Sequence, residues 1–382
     1  MKEEFAEQLL ERAMDWDVPT VKDEILKLRY LTAVKYDNYR NFGVGKRFLE
    51  SLVLWLRQFK TVVERKSAYD FMINRLIYLS EVQMDHLVDL AYPQRVFPIL
   101  KEQTVERGSF SPYRVRKIRT SEIFKEIKRK TLFLGMSDGA RMDTFRRKHD
   151  LNNEQVSVSY ELSKDKWEGL RKNLSEWLER KNSKRKACFE NIFLIDDFSG
   201  SGNSILRYKN DEPKGKLARF IKKYLGTFKE PGILGELCKE GGAKLFLLNY
   251  VTTQKAHDYL TGEMKTLKQK FSGEPYFFSC EILPPLQLIE NKEKIPRLSS
   301  EIDQRFVQIL DDYYDDRLED EHTQTGGVDV KYGYAGCALP LVLCHNCPNN
   351  SVYLLWGETG KSVDKQGLTA LFPRISRHLE DR

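Results

Sequence analysis

Cysteine is scarce in this sequence: six residues in 382, at 188, 238, 280, 337, 344 and 347. That is too few for the disulfide framework of a small secreted domain, so reduced thiols are expected, and Cys344 and Cys347 form the single CxxC. No stretch approaches the ~18 consecutive apolar residues of a membrane span. The opening MKEEFAEQLLERAMDW places acidic residues where a secretory leader has a basic and then an apolar run, which predicts a soluble, cytoplasmic protein. A strong charge excess is missing too. The 63 basic residues against 56 acidic ones leave +7, too mild to mark a nucleic-acid binder and sufficient only to favour anionic ligands. Internal repeats and low-complexity tracts are absent. The composition that remains, 41% hydrophobic and 31% charged, is that of a folded globular chain. Its length suits two domains, or one large domain with an appendage.

Residues 1–105 read as helices. Phe5, Leu9, Leu10, Ala13 and Met14 share one helical face, and Phe48, Leu49, Leu52, Val53 and Leu56 share another. Thr20 with Asp23 and Glu24 reads as a helix start, and a third helical run covers about 67–90. Pro93 and Pro98 interrupt the pattern, and RGSFSPY at 107–113 has the composition of a linker. The expected division is therefore a helical region at 1–110 and a second domain at 111–382. Beyond 110 the texture changes to short apolar runs between helical stretches: Thr131–Met136, Val156–Tyr160, Asn191–Ile195, Lys244–Val251, Leu339–Leu343 and Val352–Trp356. Alternation of this kind predicts an α/β fold with a largely parallel sheet, whose ligands bind at the carboxyl ends of the strands. The basic, Gly- and Pro-punctuated stretch 205–240 is long for a crossover and is expected to be an insertion.

The clearest local signal follows the run Ile192–Ile195: Asp196-Asp197-Phe198-Ser199-Gly200-Ser201-Gly202-Asn203-Ser204, leading to the helical-looking Ile205-Leu206-Arg207. A strand ending in two carboxylates, then a small-residue loop, then a helix start makes a nest of amides and hydroxyls suited to a phosphate. The carboxylates suit sugar hydroxyls instead, or a Mg²⁺ that offsets other phosphates. An ordinary strand-to-helix turn with polar capping residues is the bland alternative. This segment resembles the signature of the type I phosphoribosyltransferases: four apolar residues, two acids, three variable positions, then Ser201, Gly202 and Ser204 as closing small residues. The resemblance implies that the loop Ser199, Gly200, Ser201, Gly202, Asn203 and Ser204 holds the 5-phosphate of phosphoribosyl pyrophosphate (PRPP), while Asp196 and Asp197 contact the ribose hydroxyls.

The family also carries an earlier pyrophosphate loop, and Ser137-Asp138-Gly139-Ala140-Arg141 after Thr131–Met136 resembles one. Ser137, Gly139 and Arg141 would offer amides and a guanidinium to pyrophosphate, while Asp138 requires Mg²⁺ between itself and that anion. Mg²⁺ is therefore the cofactor implied, carried by Asp196 and Asp197, directly or through water. Val156–Tyr160 stands where the family has a flap with a Ser-Tyr pair, which places Tyr160 on the acceptor side. His345, Asn346, Asn349 and Asn350, after the run Leu339–Leu343, are neutral groups of the kind that read a base or cap a loop.

Other patterns are bland. Gly357-Glu358-Thr359-Gly360-Lys361-Ser362 has Leu355 where a nucleotide-binding P-loop needs glycine, and reads as a polar turn. Asp197–Ser201 lacks the glycine of a nucleophile elbow. Cys344 and Cys347 have only Cys337 nearby, short of a zinc site. His86 has no partner motif. The basic stretches Arg114–Arg119, Lys125–Lys130, Arg141–His149 and Arg171–Lys186, like the acidic Asp311–Glu321, read as solvated surfaces.

The loop at 196–204 and the run from Tyr332 to Trp356 resemble, over roughly residues 110–375, a divergent group of phosphoribosyltransferase-like proteins of bacterial conflict and antiphage systems, some linked to retrons. This implies a protein that binds PRPP or a related nucleotide-like small molecule and transfers or cleaves at ribose C1. The alternative is a non-catalytic sensor of PRPP or nucleotides. A protein from a defence operon is the partner expected for residues 1–110; nucleic acid stays open as a partner, and membrane is excluded.

Overall fold

The structure, a computed structural model, describes residues 2–183, 185–225, 232, 243–270, 280–291, 301–320, 323, 326–327, 329–361 and 367–374. The chain forms two compact units, Met1–Met84 with Glu290–Arg382, and Asp85–Ile289.

Asp85–Ile289 carries an all-parallel sheet. Its strands are β2 (Thr131–Gly135), β3 (Val156–Ser157), β4 (Asn191–Ser199), β7 (Lys244–Thr253), β8 (Cys280–Ile282) and β9 (Gln287–Ile289), in the order β3-β2-β4-β7-β8, with β9 pairing further along β7. The two central strands are near-continuous apolar runs because both faces are covered. On one face Phe133, Phe193 and Phe246 stand in register across three strands and stack, with ring centroids 5.4 and 4.7 Å apart. On the other, Leu132, Leu134, Ile192, Leu194, Leu245 and Leu247 pack against Trp167, Leu170, Leu174 and Leu178 of the helix Lys164–Arg180.

The helix Phe97–Gly108 belongs to this unit, although the expected boundary lay near 110. Polar bonds fasten it to the head of β4. Gln103 and Asn191 exchange reciprocal amide bonds of 2.9 Å, and Arg107 binds Glu190, which also takes the buried Lys130. Pro93 does not end the helical path as expected. It lies second in a π-helical turn, Tyr92–Val96, that runs directly into Phe97–Gly108, because a wider turn accommodates the missing amide donor.

The other unit combines both ends of the chain. The helices Glu3–Met14, Val18–Val34, Phe48–Arg57 and Val62–Asn74 precede β1 (Ile77–Leu79), a strand inside the segment expected to be helical throughout. Asp17, not Thr20, caps the second helix, accepting from the Thr20 amide at 3.0 Å. β1 pairs in parallel with β10 (Leu341–Leu343), Ile77 beside Leu341. The Trp55 indole donates to Leu354 O at 2.8 Å, and Phe372 is ringed by Tyr36, Tyr39, Phe48 and Tyr78. Residues after 340 thus complete the core of the N-terminal helices. Val352–Trp356, expected as a strand, forms the helical turn Tyr353–Trp356, buried throughout. An apolar run of that length does not by itself distinguish a buried strand from a buried turn of helix.

Candidate functional site

β2 and β4 are neighbours whose onward connections part, β2 to β3 on one side and β4 to β7 on the other. Divergence of this kind opens a crevice beyond the carboxyl ends of the strands, where ligands of open α/β sheets bind. Both predicted loops start there. β2 stops at Gly135, where a Cβ would lie 2.5 Å from Val158 O and 2.7 Å from Met142 Cγ, and the chain turns into Ser137–Arg141. β4 runs four residues further, past Ile195, to Ser199.

Alternation along β4 sends Asp196 to the face of Ile192 and Leu194 and Asp197 to the face of Phe193. The Ser137 hydroxyl bonds both acids: it lies against Asp196 Oδ1 and 2.8 Å from Asp197 Oδ1. Asp196 is 2% exposed; its Oδ2 is 2.8 Å from Lys216 Nζ. Burial pushes the Asp196 carboxyl up to about 6; Lys216 pulls it down and Asp197 adds to the rise. Asp197 is half-buried. Behind it, on β7, the fully buried Tyr250 donates to Ala140 O at 2.8 Å, and burial followed by the charge of Asp197 raises its hydroxyl well above the ordinary range.

The loop after β4 is tightly shaped. Gly202 has φ +82, and a Cβ there would come within 2.8 Å of Tyr259 and 2.9 Å of Leu260. Thr253 at the end of β7 donates to Gly200 O at 2.6 Å, and Ile205 and Leu206 donate to Gly202 O. Ser201 Oγ accepts from the Asn203 amide at 3.4 Å, while among the described residues the amides of Gly202 and Ser204 have no hydrogen-bond partner. Ser199 Oγ is buried without a partner, as is Oδ1 of Asn249, the β7 residue beside Asp196. Unsatisfied buried polar atoms are few in native folds, and two of those found among the described residues, on Ser199 and Asn249, lie beside the acid pair.

The expected helix at Ile205 is absent. The chain makes a turn, then a hairpin of β5 (Arg207–Lys209) and β6 (Glu212–Lys214), and only then the five-residue helix Lys216–Phe220. Asn210 and Asp211, with φ of 52 and 59, form the two-residue turn that matches strand twist, so local turn chemistry overrides the helical-looking sequence. The loop consequently has no helix dipole behind it. The rest of the predicted insertion, 226–231 and 233–240, lies outside the described residues.

In the first loop Asp138 is exposed and Gly139 half-buried, and Arg141, with φ 51, reaches Asp85 at 2.8 Å. Tyr160 is buried; burial raises its hydroxyl to about 12, with Asp196 among the charges acting in the same direction. His345, Asn346, Asn349 and Asn350 belong to the other compact unit. There Asn346 accepts from Asn41 at 3.2 Å, the Asn349 carbonyl takes the Tyr334 amide, and the buried Asn350 amide donates to Tyr334 O at 3.2 Å. Thr359 and Gly360 hold Asp315 and Arg317, the work of a structural turn; Ser362 lies outside the described residues. Among the described residues no group of three or more His, Cys, Asp or Glu is placed to hold a metal, and no helix is long and apolar enough to cross a membrane.

The parallel sheet, its point of divergence and the acid pair leading into a small-residue loop define a phosphoribosyltransferase-type protein. The family model PRTase-CE, a phosphoribosyltransferase-type domain, matches residues 52–374, and the chain belongs to this family. No curated protein and no solved structure matches it.

Sequence reasoning missed Lys216, Tyr250 and Thr253. Lys216 lies 20 residues beyond Asp196, and the signals that bring it back are the Asn-Asp turn and Gly215. Tyr250 and Thr253 stand at the carboxyl end of an apolar strand, the position from which a parallel sheet presents its polar residues.

Proposed function

We propose that the chain binds PRPP or a related ribose phosphate at the carboxyl edge of β2 and β4, and displaces the substituent at ribose C1. The observation that carries this is the Ser137 hydroxyl bonded to both Asp196 and Asp197, which joins the two predicted ligand loops at one point. In this reading the amides and hydroxyls of Ser199–Ser204 take the 5-phosphate, the acid pair takes the ribose hydroxyls, and Ser137–Arg141 faces the pyrophosphate. Mg²⁺ fits the donor set, since one or two carboxylates suffice when the remaining ligands are water and phosphate oxygen. Asp197 and, through water, Asp196 would hold it, and it would offset charge on the departing pyrophosphate. The chain's own part is positioning: fixed donors hold the sugar while positive charge develops at C1, and the carboxylates stabilise that charge. No side-chain nucleophile is needed. The acceptor is a nucleobase, a nucleotide or a macromolecule, with Tyr160 on its side of the site, and the biological role we propose is that of an effector in bacterial antiphage defence.

The second reading is a non-catalytic sensor of the same ligands, acting on a partner protein. It is favoured by Asp196 being already engaged by Lys216 and Ser137. Calorimetric PRPP binding and pyrophosphate release, in wild type and Asp197→Asn, separate the two. Catalysis predicts that both are present in wild type and that the substitution weakens each by roughly 10- to 100-fold, the worth of a charged hydrogen bond. Binding without release supports the sensor. Absence of PRPP binding in wild type removes both readings.

A further inference from the structure

Lys216 touches the phosphate loop at its two ends. Its Nζ lies 2.8 Å from Asp196 Oδ2, on the strand that enters the loop, and its backbone amide donates to Ser204 O at 3.0 Å, where the loop closes. The chain between is built to return there. The Asn210-Asp211 turn folds β5 back onto β6, and Gly215, at φ +105, passes so close to the loop's exit that a Cβ would sit 2.5 Å from Ile205 O. The next residue extends the seam, Leu217 N donating to Ile205 O at 3.0 Å. Leu217 and Phe220 are fully buried in the core, which fixes the short helix and aims Lys216 at β4. The ammonium is itself largely shielded, with 14% of its side chain exposed against 3% for Asp196. An ion pair this dry is held in one geometry and is costly to break from either side.

We infer that Lys216 is the positioning residue of the 199–204 loop: a built-in cation that holds Asp196 and Ser204 at a fixed separation before any ligand arrives. The inference rests on the reading that this loop receives the ligand's phosphate. It also replaces the missing helix. With no helix N-terminus behind the amides, the loop owes its shape to this brace, to Thr253 and to the conformation of Gly202. Lys216 acts through Asp196 and Ser204, so removing it disorders the phosphate donors without removing any of them.

The test uses the full chain as wild type, Lys216→Met, Lys216→Arg and the double variant Asp196→Asn with Lys216→Met. Ribose 5-phosphate and inorganic phosphate are titrated calorimetrically, and hydrogen exchange is followed at the amides of Ser199–Ser204. Lys216→Met should weaken both ligands and accelerate loop exchange, each by about tenfold or more. Lys216→Arg, which keeps the charge and donor, should stay within about threefold of wild type. The double variant has no unpaired buried charge, so it should recover the thermal stability lost in Lys216→Met while exchange stays fast and binding weak. It also carries the test if the single variant does not fold. Unchanged loop exchange in the methionine variants overturns the proposal, as does full recovery of binding in the double variant. A wild type that binds neither ligand overturns the phosphate-loop reading instead, and the exchange rates still decide whether Lys216 braces the loop.

Discussion

Each compact unit buries an aspartate against a basic side chain, and the two carboxyl groups shift in opposite directions. Asp315 accepts from Arg317 Nε at 2.9 and 3.0 Å, from Arg317 Nη2 at 2.5 Å, from the Arg317 amide at 3.1 Å and from Thr359 Oγ1 at 2.8 Å. The Arg317 side chain above all holds its carboxyl down at about 2. Asp196 accepts from Ser137, from one ammonium and from the Asp197 amide at 3.2 Å, and burial lifts it to about 6. The difference lies first in burial, which raises Asp196, and then in the donor that each carboxylate meets. A guanidinium fork satisfies both oxygens at once, whereas an ammonium makes a single point contact. Asp315 is thereby a structural tie between two turns, while Asp196 is held by a point contact beside a second carboxylate. Net charge divides the same way. Residues 85–289 hold 38 basic and 27 acidic residues, net +11, and the remainder holds 25 and 29, net −4, together the +7 of the chain. The positive excess lies in the unit that carries the acid pair, which favours anionic ligands there.

Three experiments sharpen or break this contrast. The largest effect is expected from paired glycine substitutions. Gly202→Ala forces a side chain into φ +82 against Tyr259 and Leu260 and should lower stability by about 1–3 kcal/mol in denaturant titrations. Gly360→Ala meets nothing within 4 Å and should stay within about 0.5 kcal/mol. Equal costs would erase the distinction between the tightly packed loop after β4 and an open polar turn. Next comes Asp315→Asn, expected to cost about 2 kcal/mol at neutral pH. Its folded pKa lies below the unfolded value, so the contribution is present above about pH 4 and fades as pH falls through about 2. Ribose phosphate binding should be untouched. A third measurement concerns Asp196, whose folded pKa is raised from 3.8 to about 6. Its contribution is complete below about pH 4 and lost as pH rises to about 6, so wild-type stability should fall relative to Asp196→Asn across that window, by up to about 1.4 kcal/mol per pH unit. A slope of the opposite sign would place Asp196 in the same class as Asp315.

The parallel sheet was legible because Thr131–Met136, Asn191–Ile195 and Lys244–Val251 are apolar runs of strand length separated by helical stretches. Asp196 and Asp197 were legible because the end of such a strand is where polar residues leave a covered sheet. Ile77–Leu79 was not: three residues between two helices carry no periodicity, and their partner lies at Leu341–Leu343. The helix expected at Ile205 failed for a related reason. Ile205 and Leu206 are apolar because both are buried in the core, and the backbone around them follows the Asn210-Asp211 turn. Lys216 was invisible because nothing local marks a lysine whose partner is reached only after the chain doubles back.

The pairing of β1 with β10 sets an order on how the chain is made. Ile77 waits for Leu341, and every residue of Asp85–Ile289 is synthesised in between. At ordinary translation speeds of 5–20 residues per second, the first four helices stand without their sheet partner for roughly 13–50 seconds. Asp85–Ile289, complete in sequence, can condense during that interval. The N-terminal helices meanwhile carry apolar faces whose cover has not yet been made, so those faces depend on protection from aggregation during that interval.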